Sequence, residues 1–399
     1  MTEQSGHVDT FCAQNLPPRE LWPVMDYTAL PDLAYPTRLN CAAELLDATV
    51  SAGRGDSPVF LYEGTRWSYR DLLTTANQIA HVLVEDLAVV PGNRVLLRAP
   101  NTPMLAACWF AVLKAGGVVV STMPLLRPRE ISYTADKARI SLALTDSRVA
   151  VDCERAMLSN ADASIRAEAR VVHFNTNAVD GLESMMRTKP ATFMNCDTSA
   201  EDIALIAFTS GTTGRAKGTM HTHRDVLAIT DCFARHILEP DASDIFCGSP
   251  PLAFTYALGG LLLFPMRFGA STLMLEQASP PNLINAIQEH RPTICFTAPT
   301  AYRAMLGMLG DFDVSSLRKC VSAGETLPAA TLEAWKAATG VTIIDGIGAT
   351  EMLHIFISAA GDDVRPGATG RAIPGYQARI VDDAGVPLPV GEVGLLEVR

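Results

Sequence analysis

The chain has 399 residues, 48% of them hydrophobic and 19% charged, enough for about two or three core-bearing units and unlike a disordered chain. Its 32 basic and 43 acidic residues leave a net charge of −11, which argues against a nucleic-acid partner, since phosphate backbones call for basic faces. The nine cysteines are scattered with no Cys-x-x-Cys pair, a pattern of reduced thiols in a cytoplasmic protein rather than of a disulfide framework or a zinc site.

From the N-terminus, Glu3, Asp9, Pro17 and Pro18 interrupt any apolar signal core. The most apolar long stretch, 105–120, is broken by Lys114 and by Gly116-Gly117, so no membrane span is expected. Around it the pattern predicts a strand at 95–97 and then a helix capped by Thr102 with Pro103 at its first position. The helix is apolar on nearly all sides and closed by Gly116, and a second strand follows at 118–120. Strand, buried helix, strand is a βαβ unit. The same grammar recurs with strands expected at 141–145, 203–208, 293–296, 319–322 and 341–344, and a helix at 281–289. From 375 onward the pattern turns to period two, with Asp382-Asp383-Ala384-Gly385 as a turn and Pro387 and Pro389 as breakers. Residues 394–399 read as a last strand.

The stretch FTSGTTGRAKGTMHTHRD, residues 208–225, follows a continuous apolar run typical of a strand buried on both faces. Gly211 and Gly214 allow close backbone approach to an anion, Ser210, Thr212 and Thr213 add hydroxyl donors, and Lys217 adds a charge. It is not a Walker A loop, because Lys217 follows Ala216 and precedes Gly218, whereas that loop needs glycine, lysine and a hydroxyl in succession. This excludes a P-loop kinase or ATPase. Thr222 and Asp225 form a capping box for a helix presenting Val226, Ile229, Thr230 and Phe233 on one face.

The loop TSGTTGRAKG resembles the signature of the adenylate-forming superfamily, with Ala216 standing where proline is usual. LKAGGVVVSTMP (113–124), SAGETLP (322–328), DGIGATE (345–351) and GATGRAIPG (367–375) resemble further landmarks of that superfamily, in order and over nearly the whole chain. The resemblance implies two βαβ-type α/β subdomains with large mixed sheets, at 1–200 and 201–366, and a small distorted β-barrel subdomain at 367–399. It also implies that a mobile domain with the catalytic lysine lies beyond Arg399, so this chain is expected to be the large N-terminal domain.

By the same resemblance, Thr209, Ser210, Gly211, Thr212, Thr213, Gly214 and Lys217 would hold the β- and γ-phosphates of ATP. Thr350 would bond the α-phosphate and Glu351 would ligate Mg²⁺. Asp345, Gly346 and Ile347 would line the adenine opposite Ala323, Gly324 and Glu325. TEMLHIFIS (350–358) and LAFTYALGG (252–260) resemble benzoate-CoA and 2-aminobenzoate-CoA ligases. That implies an aryl pocket of Phe254, Thr255, Tyr256, Ala257, Ala323, Gly346, Gly348, His354 and Ile355, with His354 beside the substrate carboxylate. Taken alone, His354 in an apolar run reads as a core histidine. The expected activity is conversion of an aromatic acid, 2-aminobenzoate ahead of benzoate, to its adenylate and then its coenzyme A thioester. A carrier-protein thiol is the alternative acceptor, and a non-catalytic aryl-acid or nucleotide sensor is the alternative from another class.

Overall fold

The computed structural model describes residues 5–399 apart from Pro23, Ala29, Ala161 and residues 210–214. In chain order, β1 (Pro58–Tyr62) and β2 (Thr65–Ser68) form a hairpin, and β3 (Arg94–Arg98), β4 (Val118–Thr122), β5 (Leu142–Asp146) and β6 (Arg170–Phe174) alternate with helices. A second hairpin pairs β7 (Ile203–Phe208) with β8 (Gly218–Thr222). Then come β9 (Ile245–Gly248), β10 (Ser271–Leu273), β11 (Ile294–Thr297), β12 (Lys319–Ala323), β13 (Ile343–Gly348), β14 (Ile355–Ser358), β15 (Arg371–Ala372), β16 (Ala378–Val381) and β17 (Leu395–Val398).

The strands build a six-stranded sheet ordered β6-β5-β3-β4-β7-β8 and a nine-stranded sheet ordered β15-β14-β13-β12-β11-β9-β10-β1-β2. Both are mixed: parallel inside, with antiparallel strands at one edge of the first and at both edges of the second. The α/β class with large mixed sheets expected from the sequence is thus what forms. The expected division at residue 200 does not coincide with the sheets. β1 pairs in parallel with β10, so residues 58–68 belong to the nine-stranded sheet. β7 pairs with β4 through Val119 and Leu205, so residues 203–222 complete the six-stranded one. The apolar run of β7 is the physical reason, because it finds cover only between β4 and β8.

The barrel expected over 367–399 is present only as the antiparallel β16–β17 ladder, while β15 extends the nine-stranded sheet. Two strands cannot close on themselves, and Ile380, Leu395 and Leu396 stay exposed.

The predicted helix spans Pro103–Lys114, with the Thr102 hydroxyl accepting from the Leu105 amide at 3.2 Å, and almost all of it is buried. Lys114 is fully buried too, its ammonium 2.6 and 2.7 Å from the two carboxylate oxygens of Asp47. The capping box at Thr222 and Asp225 forms and opens a helix over His223–Ile229 that continues, wound as π-helix, through Thr230–Leu238. The largest apolar cluster includes Trp109 and Phe110 together with Phe233, Phe246, Phe264 and Phe296. All nine cysteines are free thiols, eight of them buried. No helix among the described residues is long and apolar enough to cross a membrane.

Candidate active site

Parallel pairing sets the site. β11, β12 and β13 lie side by side with Thr297 opposite Ser322, Ser322 opposite Asp345, and Ala323 opposite Gly346. The segments 323–325 and 345–351 therefore leave the sheet at neighbouring carboxyl ends, the place where open parallel sheets bind ligands. Ala323 is buried, whereas Gly324, at φ +88°, and Glu325 are exposed. Ile347 is 40% exposed, offering an apolar surface at the rim, and Gly348 is exposed beside it.

Asp345 lies at this junction, opposite Ser322. Its Oδ1 is buried with no hydrogen bond. Burial raises its pKa, against the opposing pull of the nearby Ser322 and Thr369 hydroxyls.

Beyond Gly348 the chain makes a single turn over Thr350–Met352 that leaves Glu351 exposed. Leu353 follows at φ +64°, a costly conformation for a branched residue, and returns the chain into β14.

The phosphate-loop residues Ser210, Gly211, Thr212, Thr213 and Gly214 lie outside the described residues. The mouth of the loop is described. The Thr209 amide donates to the Lys217 carbonyl at 2.9 Å, and the Lys217 amide donates to the Thr209 hydroxyl at 3.1 Å. Phe208 then pairs with Gly218. Thr209 and Lys217 thus stand at the paired ends of β7 and β8, and the helix opens only at His223, after all of β8. β8 was not anticipated from the sequence, because Gly-Thr-Met-His-Thr is short, polar and lies at a sheet edge. His221 on β8 reaches the other sheet, its Nε2 donating to the Thr350 carbonyl at 2.8 Å. The loop and the Thr350–Glu351 turn are joined there by one side chain.

Residues 47–399 match the family described as AMP-binding enzyme. The chain belongs to the AMP-binding enzyme family. The benzoate–CoA ligase of Thauera aromatica is 31% identical over 379 residues, 92% of this chain and 70% of that protein. The anthranilate–CoA ligase of Pseudomonas aeruginosa is 31% identical over 350 residues, 86% of this chain and 65% of that one. Among solved structures, the anthranilate CoA ligase AuaEII in complex with anthranoyl-AMP superposes with a TM-score of 0.85 at 32% identity, over 93% of this chain and 71% of that chain. This chain therefore spans about two thirds of the length of such AMP-binding enzymes.

In this AMP-binding enzyme the expected aryl residues divide between two places. Thr255, Tyr256 and Ala257 form one helical turn after the exposed Phe254, with Ala257 fully buried. Tyr256 donates its hydroxyl to the Val321 carbonyl at 3.0 Å, and its ring lies 5.7 Å from that of His354 and 5.6 Å from that of Phe296. Thr255 instead lines a cavity of about 10 Å³, room for roughly one water, with Trp109, Ser121 and Ala207. Trp109 Nε1 is buried there without a partner. Thr255 thus lines that cavity while the Tyr256 hydroxyl bonds the Val321 carbonyl, since successive residues of a helical turn point about 100° apart.

His354 is buried against Phe264, Phe233, Tyr256 and Phe296, and desolvation lowers its pKa to about 3. Its Nε2 lies 3.2 Å from the Tyr256 carbonyl, which can only accept, so Nε2 carries the hydrogen and Nδ1 is a lone-pair acceptor. Nδ1 is buried with no partner. A neutral ring with a free acceptor does not hold a carboxylate by charge.

The glycines have packing reasons of their own. A Cβ on Gly346 would stand 2.5 Å from Ile355 Cδ1, one on Gly348 2.8 Å from the His354 carbonyl oxygen, and one on Gly259 2.4 Å from His354 Cδ2. A larger groove of about 650 Å³ lies beyond the far end of β14, by His236, Asp363, Arg371 and Tyr376. Of the charged groups there, Arg371 pairs with Asp363 and His236 with Asp32. Among the described residues no three His, Cys, Asp or Glu are placed to hold a metal ion. A single exposed carboxylate at Glu351 suits a magnesium ion otherwise held by phosphate oxygens and water.

Proposed function

We propose that this chain forms the aryl-acid and nucleotide site of an AMP-forming aryl-CoA ligase, with 2-aminobenzoate as the acid. The observation that carries the nucleotide half is the convergence of segments 323–325 and 345–351 at adjacent strand ends around Asp345, whose unpartnered Oδ1 suits the exocyclic amine of adenine. Two residues further along the same strand, Ile347 offers the base an apolar face. The Thr209–Lys217 hairpin would take the β- and γ-phosphates and Thr350 the α-phosphate, with Glu351 as the protein ligand to Mg²⁺. That ion, when bound, would neutralise phosphate charge.

The chemistry asked of the site is attack of the acid's carboxylate oxygen on the α-phosphorus. One P–O bond forms, the bond to pyrophosphate breaks, and the acyl-adenylate remains. Negative charge gathers on the phosphoryl oxygens, so positioning and fixed donors supply most of the acceleration. Coenzyme A would then displace AMP at the acyl carbon.

The preference for 2-aminobenzoate over benzoate rests on His354 Nδ1. An ortho-amino group brings the donor that this buried acceptor lacks, and benzoate brings none. The relatives named for benzoate and anthranilate support the aryl class without choosing between the two. Calorimetric titration with benzoate, 2-aminobenzoate, the hydroxybenzoates and a twelve-carbon fatty acid, alone and as adenylates, tests the reading. We expect 2-aminobenzoyl-AMP to bind most tightly. Stabilisation by the fatty acid with none from any aryl acid or aryl adenylate would overturn the class, and equal affinity for benzoyl-AMP would overturn the ortho-amino preference.

A further inference from the structure

We infer that His221 is a positioning residue that sets the spacing between the two phosphate-gripping segments, an inference that rests on the proposed reading of the site. β8 is the edge strand of the six-stranded sheet, and its register to β7 is set by the pairs Phe208–Gly218, Ala207–Thr219 and Leu205–His221. Lys217 stands at one end of this strand. Four residues on, roughly 13 Å along an extended chain, the His221 side chain projects from the sheet and is almost wholly buried. Its Nε2–H donates to the Thr350 carbonyl at 2.8 Å, which puts the hydrogen on Nε2 and ties the six-stranded sheet to the end of the nine-stranded one.

The turn that receives this bond has little else to hold it. Its backbone bonds are Met352 to Ala349 and Leu353 to Thr350, both 3.1 Å, and His354 to Met352 at 2.8 Å, and Leu353 is in a strained conformation. Among the described residues, His221 makes the single side-chain hydrogen bond to the turn's backbone. A triphosphate reaching from Lys217 to Thr350 and Glu351 would be gripped by two elements from different sheets, and the distance between its two grips would be that of β8 plus one imidazole. His221 touches neither phosphate nor acid in this arrangement. It acts through Thr350.

The test compares the parent 399-residue chain with His221→Leu, which removes the donor, and His221→Gln, whose amide nitrogen can take the place of Nε2. Should the leucine variant not fold, His221→Met takes its place. Amide hydrogen exchange at Met352 and Leu353 reads the turn without any ligand, and calorimetry reads affinity for ATP with Mg²⁺. In the leucine variant we expect faster exchange at both amides and an ATP affinity about five- to tenfold weaker, with the glutamine variant within about threefold of the parent on both readouts. Parent-like exchange and ATP affinity in the leucine variant overturn the inference, as do equal losses in both variants, which would mean packing alone. A parent chain that binds no adenine nucleotide overturns the proposed reading of the site and this inference with it. A parent that binds normally beside a parent-like leucine variant overturns this inference alone.

Discussion

Asp345 holds a carboxylate oxygen that is buried and unpaired, a state native proteins seldom leave without use. If adenine's amine is its partner, Asp345→Ala should weaken ATP binding about tenfold and shrink the preference over GTP, because only adenine offers a donor there. Competition binding of the two nucleotides checks this, and an unchanged preference would remove Asp345 from the base site. Two other residues set a pH response. His223 and His354 are both buried, with pKa values lowered to about 3, so the fold keeps them neutral. The unfolded chain takes up protons below the ordinary histidine pKa of about 6.5 and the folded chain does not until about 3. Stability is therefore intact above pH 6.5 and falls as pH drops through that window, by about 1.4 kcal/mol per pH unit for each histidine. Denaturant unfolding at pH 7.5 and 5 should show this slope, and His223→Gln should make it shallower by one proton. A slope identical in parent and variant would show that His223 is charged in the fold.

At the scale of elements, the hairpin β7–β8 changes what the phosphate loop can use. A loop leading straight into a helix gains the dipole and free amides of the helix end. Here the helix opens at His223 and the loop is closed by the Thr209–Lys217 bonds instead, so side-chain charge must count for more. Lys217→Ala is expected to weaken binding of ATP with Mg²⁺ about ten- to a hundredfold while leaving the affinity for an aryl-AMP within about twofold, since the latter carries no β- or γ-phosphate. Titrating both ligands against both proteins checks it. Comparable losses for the two would mean that the loop is not a pyrophosphate clamp.

At the scale of the molecule, the two large sheets interleave along the chain. β1 and β2 belong with strands 245–372, and β7 and β8 with strands 94–174. A cut at residue 200 would strip the nine-stranded sheet of its β1–β2 edge and expose the apolar strands β4 and β7 that cover one another. We expect residues 1–200 and 201–366, expressed separately, to be insoluble or to lack near-ultraviolet circular dichroism, and the joined chain to unfold with a single cooperative transition. Two independently folded fragments would show that the sheets are separable.

Local signals alone were enough for the alternating βαβ grammar, the caps at Thr102 and Thr222 and the buried helix 103–114, because period, capping and apolarity act over a few residues. The same was true of the family, whose landmarks are contiguous strings. Pairing between distant segments decided the rest. Which sheet takes β1 or β7, that β8 exists at all, and that the expected barrel reduces to a two-stranded ladder depend on partners far away in sequence. The same holds inside the site. Asp345 and His354 stand in strings that point to function, but only burial left one oxygen and one nitrogen without partners. Thr255 and Tyr256 are neighbours in the chain, and the turn of a helix sends them to different places. His221 gave no local sign, because its acceptor, the Thr350 carbonyl, is 129 residues away and is brought near only by the packing of two sheets.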